Sequence, residues 1–221
     1  MSTAEWRSVP PPPAPRRDPL GALPTYVSSL DASVLPLEPS DILAARTYVR
    51  LRKLFLPLLL SHKRPLRLSL GGVASLVFET RLTAWFQVQE ELRFHPGPEA
   101  HQLAEVLERI NPLIPRGGEL RASLLFERGG DAVRALRHEG VEALSRLRVV
   151  LGGMEFRARS LDPIGRELPS VTFLAFTPER VISGVRDHLA WPALGADLAL
   201  PEVTVSALRR SLRAPSRLRL V

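Results

Sequence analysis

Glu79 and Glu127 end two apolar stretches of nearly identical sequence, ASLVFE at 74–79 and ASLLFE at 122–127. Two carboxylates held close can ligate a divalent cation or work as an acid and base pair, because like charge raises one of the two pKa values. Were the two stretches neighbouring strands, both carboxylates would lie at one edge of the sheet. The segment after Glu79, TRLTAWFQVQEELR, adds Arg81, Gln89, Glu90 and Arg93. On a helical wheel of about 100° per residue, Leu82, Trp85, Phe86, Val88 and Leu92 share one arc. Gln89 falls inside that arc and Arg93 beside it, while Gln87, Glu90 and Glu91 lie at its edge or outside it. A buried amide left unpaired costs about 1–3 kcal/mol. A buried arginine needs a carboxylate, for which Glu79 and Glu127 are the candidates. The competing reading is an Arg–Glu network that fixes how the helix leaves the strand. The lack of an accompanying nucleophile, catalytic histidine or metal-spaced ligand set favours that network. No catalytic residue, metal ligand or cofactor is assigned.

Other motifs add little chemistry. His95 and His101 flank a loop at a spacing that fits no standard zinc pattern, and His62, His138 and His188 stand alone among polar neighbours. The chain has no cysteine, which removes disulfides, thiolate nucleophiles and thiolate-bound clusters. Glycine pairs at 71–72, 117–118, 129–130 and 152–153 fit turns rather than a phosphate loop.

The elements that must position these residues are legible in part. EPSDILAARTYVRLRKLF reads as a helix over 41–56, capped by Ser40 and bent or ended by Pro57. LRLSL-GG-VASLVFE reads as a hairpin with a positive-φ glycine turn. The helix at 81–93 and a second in GPEAHQLAEVLERI follow, the latter ended by NPLIP. ELRASLLFE is a strand, and 131–147 a helix interrupted near Gly140. LRVVLGGMEFRARS is a second glycine hairpin, with Met154, Phe156 and Ala158 buried and Glu155, Arg157 and Arg159 wet. SVTFLAFT is a strand, after which Thr177 caps a helix carrying Pro178 and Glu179 in its first turn. Short strands at ADLALP and EVTVS precede a short basic helix. Tight hairpins and clustered helices argue for an α+β fold: an antiparallel sheet built from glycine-turn hairpins, with helices packed on one face, in a single domain.

With 221 residues the chain suits one domain of 38–213 and two tails. Residues 1–37 carry Pro10 to Pro13 and Pro15 among small and polar residues and read as a disordered or extended leader. Pro12, Pro15 and Arg17 fit a P-x-x-P-x-R pattern that any proline-rich linker produces easily. Residues 214–221 are a basic tail. The net charge of +7 is arginine-based, since Lys53 and Lys63 are the only lysines among 30 basic residues. The arginines are dispersed, which argues against nucleic acid. Their one concentration is at Arg209, Arg210, Arg213, Arg217 and Arg219. No apolar run reaches the length of a membrane span, and the N-terminus does not resemble a signal peptide, so a cytoplasmic protein is expected.

LVFETRLTAWFQVQEELR followed by INPLIPRGGELRASLLFE resembles the signature of a bacterial family, the domain of unknown function 3501 family. The resemblance spans about 37–213 and is carried by Phe78, Glu79, Arg81, Thr83, Gln87, Gln89, Glu90, Leu92, Arg93, Asn111 to Pro115, Gly117 or Gly118, Ala122 and Glu127. Phe86, Glu91 and Ser123 depart from it, standing where the family carries Tyr, Met and Thr. The family's Asp-His-Pro segment has no clear equivalent in LGADLALPEVTVS. The resemblance implies no activity; it implies genes lying beside those of rubrerythrin-like and iron–sulfur oxidoreductase proteins.

Three functions are therefore expected, in order. The first is a non-catalytic accessory or interaction protein working with a redox partner. The second is a carboxylate-based metal-binding enzyme using Glu79 and Glu127, and the third is polyanion binding through the arginine-rich C-terminus. The polar set to follow is Glu79, Arg81, Gln89, Glu90, Arg93, Asn111 and Glu127.

Overall fold

The computed structural model describes residues 19–95, 100–127 and 129–213. Hairpin chemistry starts the sheet. In β1 (Arg67–Leu70) Leu68 and Leu70 are buried while Arg67 and Ser69 are exposed. Gly71 and Gly72, at φ 61° and 71°, supply the left-handed positions of a turn closed by Val73 N–H to Leu70 C=O at 3.2 Å. That turn twists with the strands it joins. β2 (Ala74–Phe78) returns, and β3 (Leu120–Phe126), β4 (Arg148–Leu151), β5 (Met154–Ser160), β6 (Val171–Val181), β7 (His188–Trp191) and β8 (Ala196–Ala199) follow. They form one eight-stranded sheet in the order β1-β2-β3-β6-β5-β4-β7-β8. Every pairing is antiparallel.

Two hydrophobic clusters hold this sheet and its helices together. The inner face brings Leu70 and Leu76 from one end of the sheet together with Leu189 and Trp191 from the other, around Phe78, Phe156 and Phe176. Leu136 and Leu144 of α5 (Asp131–Ser145) and Val205 and Leu208 of α6 (Glu202–Arg213) complete that core. The second cluster joins α1 (Pro19–Asp31), α2 (Ala45–Lys63), α3 (Arg81–Leu92) and α4 (Ala100–Ile110) around Trp85, and meets the sheet through Leu161 and Phe173. The α+β class with one antiparallel sheet is as the sequence implies. The interruption of α5 falls where expected, at Gly140 (φ 57°, ψ −125°), where a Cβ would stand 3.2 Å from the Arg166 carbonyl oxygen. Among the described residues no helix is long and apolar enough to cross a membrane.

Four expectations are corrected. Residues 19–37 are not an extended leader: α1 buries Leu23 and Leu30, with Tyr26 and Val27 partly buried between them, and Leu37 is buried beyond it. This i, i+3, i+4, i+7 spacing is helical, and tertiary burial outweighs the surrounding proline and serine. The leader's residues 1–18 with their P-x-x-P-x-R pattern, and the tail 214–221, lie outside the described residues.

Ser40 caps no long helix. Pro39–Asp41 is a single 3-10 turn, and α2 begins at Ala45 and runs through Pro57 to Lys63. Pro57 sits on the exposed side of α2, where water can satisfy the carbonyl it leaves free.

Thr177 starts no helix, because β6 continues through Pro178 to Val181. Pro178 lies opposite Phe156 at a β-bulge, where a missing N–H is tolerated. EVTVS is the start of α6 rather than a strand: Thr204, Val205, Ala207 and Leu208 are buried at helical spacing while Val203 is exposed.

Candidate functional site

The junction FETR, residues 78–81, is where strand becomes helix. Thr80 caps α3 reciprocally, its hydroxyl accepting from Thr83 N–H at 3.3 Å while its own N–H donates to the Thr83 hydroxyl at 2.8 Å. The Thr83 hydroxyl in turn donates to Glu79 Oε2 at 2.5 Å, and Ser123 donates to Glu79 Oε1 at 2.5 Å. Glu79 is 3% exposed. Among the described residues no cation pairs with it. Arg121, its neighbour across the β2–β3 ladder, turns its guanidinium to Glu119 at 2.6 Å.

The other polar residues separate. Arg81 reaches away from Glu79 to Asp41 Oδ2 at 2.6 Å and to the Leu35 carbonyl at 2.8 Å. Glu90 binds α3 to α2, accepting from Tyr48 at 2.5 Å and from Arg52 at 2.7 and 2.9 Å. Arg93 pairs with Glu90 at 3.4 Å and lies over the Phe94 ring, so neither Glu79 nor Glu127 is its carboxylate. Gln89 is buried with its Nε2 unpartnered among the described residues. Asn111 clasps the Leu37 backbone, accepting its N–H at 2.7 Å and donating to its carbonyl at 3.0 Å. Glu127 accepts from Arg67 and Ser75. Most of the set is therefore strapping, which ties α3 to α2 and to the 35–41 segment.

The expected carboxylate pair does not form. β2 and β3 are neighbours, but they run antiparallel, with Phe78 opposite Ala122 and Ala74 opposite Phe126. Glu79 and Glu127 consequently leave the ladder at opposite ends, roughly 20 Å apart by strand rise. Among the described residues no three His, Asp or Glu side chains converge as metal ligands. His62 presents the same nitrogen, Nε2, to Thr80 at 3.1 Å and to Asp31 at 3.4 Å. A nucleophile–base–acid relay requires opposite ring nitrogens.

The straps carry a testable pH dependence. Burial raises the Glu90 carboxyl pKa, but the hydrogen bonds from Arg52 and Tyr48 lower it further, and the net position is below the usual value. Such a group stabilises the fold above its unfolded pKa and loses that contribution as pH falls through its folded pKa. Glu90→Gln is expected to lower the urea midpoint at pH 7, with the separation shrinking at acid pH as the pH falls through the lowered Glu90 pKa. Midpoints that stay equally separated at neutral and acid pH would assign the loss to packing instead.

Two clefts flank the junction. One, of about 680 Å³, is lined by Asp31, His62, Thr80, Arg81 and Arg210. Arg81 is committed to Asp41, and the His62 ring is held against Asp31. Burial holds the His62 pKa below its ordinary value, with Arg210 and Lys63 adding to the effect and Asp31 opposing it. The other, of about 470 Å³, lies on the outer face of the sheet. Arg67, Val77, Ser123 and Phe173 stand side by side there in one row across β1, β2, β3 and β6. Leu125 and Val171 pair in the adjacent row. Glu79 lies beyond Val77, and Leu60 and Lys63 of α2, Arg64 just after it and Gln87 of α3 close the cleft.

This second cleft combines a buried carboxylate, an apolar wall and a basic rim. Lys63 lies over the Phe86 ring at 5.4 Å, Arg67 is held by Glu127, and among the described residues Arg64 has no ion-pair partner. Sequence reasoning singled out Glu79 but missed Lys63, Arg64, Arg67, Ser123 and Phe173. Strand alternation signals that Arg67, Ser123 and Phe173 share the face of Glu79, but only the ladder register aligns them.

Fold and site together define an α+β domain with a large antiparallel sheet and a basic-rimmed cleft on its outer face. A family model described as "Protein of unknown function (DUF3501)" matches residues 36–212, and the chain belongs to that family. A crystal structure of a novel protein of unknown function from Burkholderia pseudomallei is similar in fold. It is 21% identical with a TM-score of 0.68, and the match covers 80% of this chain and 98% of that one. No curated protein matches the chain.

Proposed function

We propose that this is a non-catalytic accessory protein that acts by holding a small molecule in the Glu79 cleft. One observation carries the reading: a 3% exposed carboxylate lines an open cleft of about 470 Å³ and, among the described residues, takes its side-chain hydrogen bonds from neutral hydroxyls alone. The volume falls within the range of about 300–1,000 Å³ typical of ligand sites, and apolar walls with a few convergent polar groups are their usual chemistry. The non-catalytic part rests on the separation of Glu79 from Glu127 and on the arrangement at His62. A cytoplasmic location and a redox partner belong to the same proposal. The first rests on the sequence's lack of a membrane span, and the second on the family resemblance alone. Polyanion binding is the weaker reading, because Arg209 is committed to Asp187 at 3.0 Å.

The probe is 1-anilinonaphthalene-8-sulfonate, whose apolar rings and sulfonate suit the wall and the rim. The native protein is expected to bind it at a stoichiometry near one. Val171→Trp, at a cleft-lining position 45% exposed, fills the site without entering the core and is expected to abolish binding. Equal dye binding by wild type and Val171→Trp would remove the cleft from consideration.

A further inference from the structure

We infer that the ligand of this cleft is a zwitterion whose ammonium and carboxylate are separated by an apolar chain. The inference rests on the cleft being the ligand site, and concerns what the site is built to recognise. Its starting point is an imbalance. Glu79 is buried, a location that ordinarily demands a cation, yet Lys63, Arg64 and Arg67 line the same cleft and none of them turns to it. Arg121, placed beside it by the ladder, also turns elsewhere. The negative pole and the positive poles of the cleft are thus kept apart by the protein's own contacts.

A carboxylate offers about four acceptor positions, and Thr83 and Ser123 occupy two, so Glu79 retains capacity for an ammonium N–H. Apolar side chains line the rest of the cleft: Val77 of β2 next to Glu79, Leu125 and Phe173 on β3 and β6, and Leu60 on α2. Arg67 pairs with Val77 in the ladder, and Glu79 lies two residues further along β2. The two backbone positions are therefore about 8 Å apart by strand geometry. An α-amino acid, whose two charges sit on one carbon, cannot lay an apolar chain between them. A short apolar peptide or an ω-amino acid can, and both place an ammonium at Glu79 and a carboxylate at the basic rim of Lys63, Arg64 and Arg67. Arg64, exposed and free of an ion pair among the described residues, is the side chain best able to close on that carboxylate.

The test uses the full chain and four probes: 6-aminohexanoate, leucyl-leucine, hexanoate and hexylamine. Binding is followed by calorimetry and by the backbone amide signal of Ser123. At least one zwitterion is expected to saturate the site one to one, with hexanoate and hexylamine each about tenfold weaker or worse. Saturation by leucyl-leucine alone identifies a peptide ligand, and by 6-aminohexanoate alone an ω-amino acid; either supports the inference. Glu79→Gln should weaken the zwitterion about tenfold and leave hexanoate unchanged. Arg64→Ala, at an exposed position that leaves the fold intact, should weaken the zwitterion and hexanoate but not hexylamine. Hexanoate binding as tightly as 6-aminohexanoate, indifferent to Glu79→Gln, would overturn the zwitterion and keep the cleft as a binding site. No shift of the Ser123 signal with any probe at tens of millimolar would overturn both.

Discussion

Trp85→Ala is expected to destabilise the protein by about 3–5 kcal/mol, among the largest single-site losses outside the sheet core. Trp85 has no exposed surface and stands at the centre of the helical cluster. Its ring lies 5.7 Å from Tyr26, 6.0 Å from Tyr48 and 5.2 Å from Phe55, the first two edge-on. Truncation removes the transfer free energy of the indole and leaves a cavity that three aromatic rings from α1 and α2 cannot easily fill.

The indole N–H also donates to the Asp41 carbonyl at 2.9 Å, an oxygen that accepts the Tyr26 hydroxyl as well at 3.1 Å. Burial, with Asp41 nearby, pushes the Tyr26 pKa up to about 12, so that hydroxyl stays a donor at neutral pH. Trp85→Phe, which keeps most of the ring and loses the N–H, should therefore cost only about 1–2 kcal/mol. Urea unfolding supplies the magnitudes, and hydrogen exchange supplies the location. Amides of α1 should lose protection in Trp85→Ala well before those of β3 and β6. A loss below about 1 kcal/mol, smaller than any buried tryptophan truncation allows, would mean that α1 and α2 do not pack around this ring.

How much of this was legible depends on which interaction decides each element. Both glycine hairpins follow from local chemistry, because two adjacent positive-φ residues leave few alternatives. The helix at Pro19–Asp31 has no local signature, since Leu23, Tyr26, Val27 and Leu30 form a helical stripe only when Trp85 and Phe55 are present to cover it. Thr177-Pro178-Glu179 carries a genuine helix-start signature, but pairing of β6 with β5 overrides it, and no local rule reports a partner strand. β7, with four residues, is too short for an alternation to show.

The same division runs through the site. A buried polar face must find partners, and the polar set on α3 finds most of them on α2 and in the 35–41 segment. Its partners were not legible. Asp41 in the 3-10 turn, Leu35 and Leu37 backbone groups and Arg52 on α2 all lie far away in sequence. The pairing of Glu79 with Glu127 failed for a purely topological reason: two similar sequences in adjacent antiparallel strands place equivalent residues at opposite ends.

Asp41→Ala is expected to cost more than Arg81→Met, although each breaks the same ion pair. Arg81 is 8% exposed and the Asp41 side chain 25%. Removing Asp41 leaves a buried guanidinium with the Leu35 carbonyl as its remaining partner, a loss of about 3–5 kcal/mol. Removing Arg81 leaves a carboxylate that keeps the Glu38 N–H at 2.8 Å and is open to water. The methionine meanwhile fills the space of the arginine stem, so about 1–2 kcal/mol should be lost. The double variant should then fall close to Arg81→Met alone, because with no guanidinium there is no stranded charge. A coupling energy above about 1 kcal/mol is the expected sign, and additive losses would show that the two side chains act independently.

The pair also bears on the cleft. Arg81 is the first residue of α3, Thr80 its cap and Glu79 the residue before that cap. A guanidinium without its anion therefore pulls on the backbone that aims the Glu79 carboxylate. Asp41→Ala should weaken zwitterion binding even though Asp41 does not line the cleft, whereas Arg81→Met, which removes the source of strain, should bind nearly as wild type. Equal binding losses in both variants would mean that the strap itself, rather than the relief of a stranded charge, sets the position of Glu79.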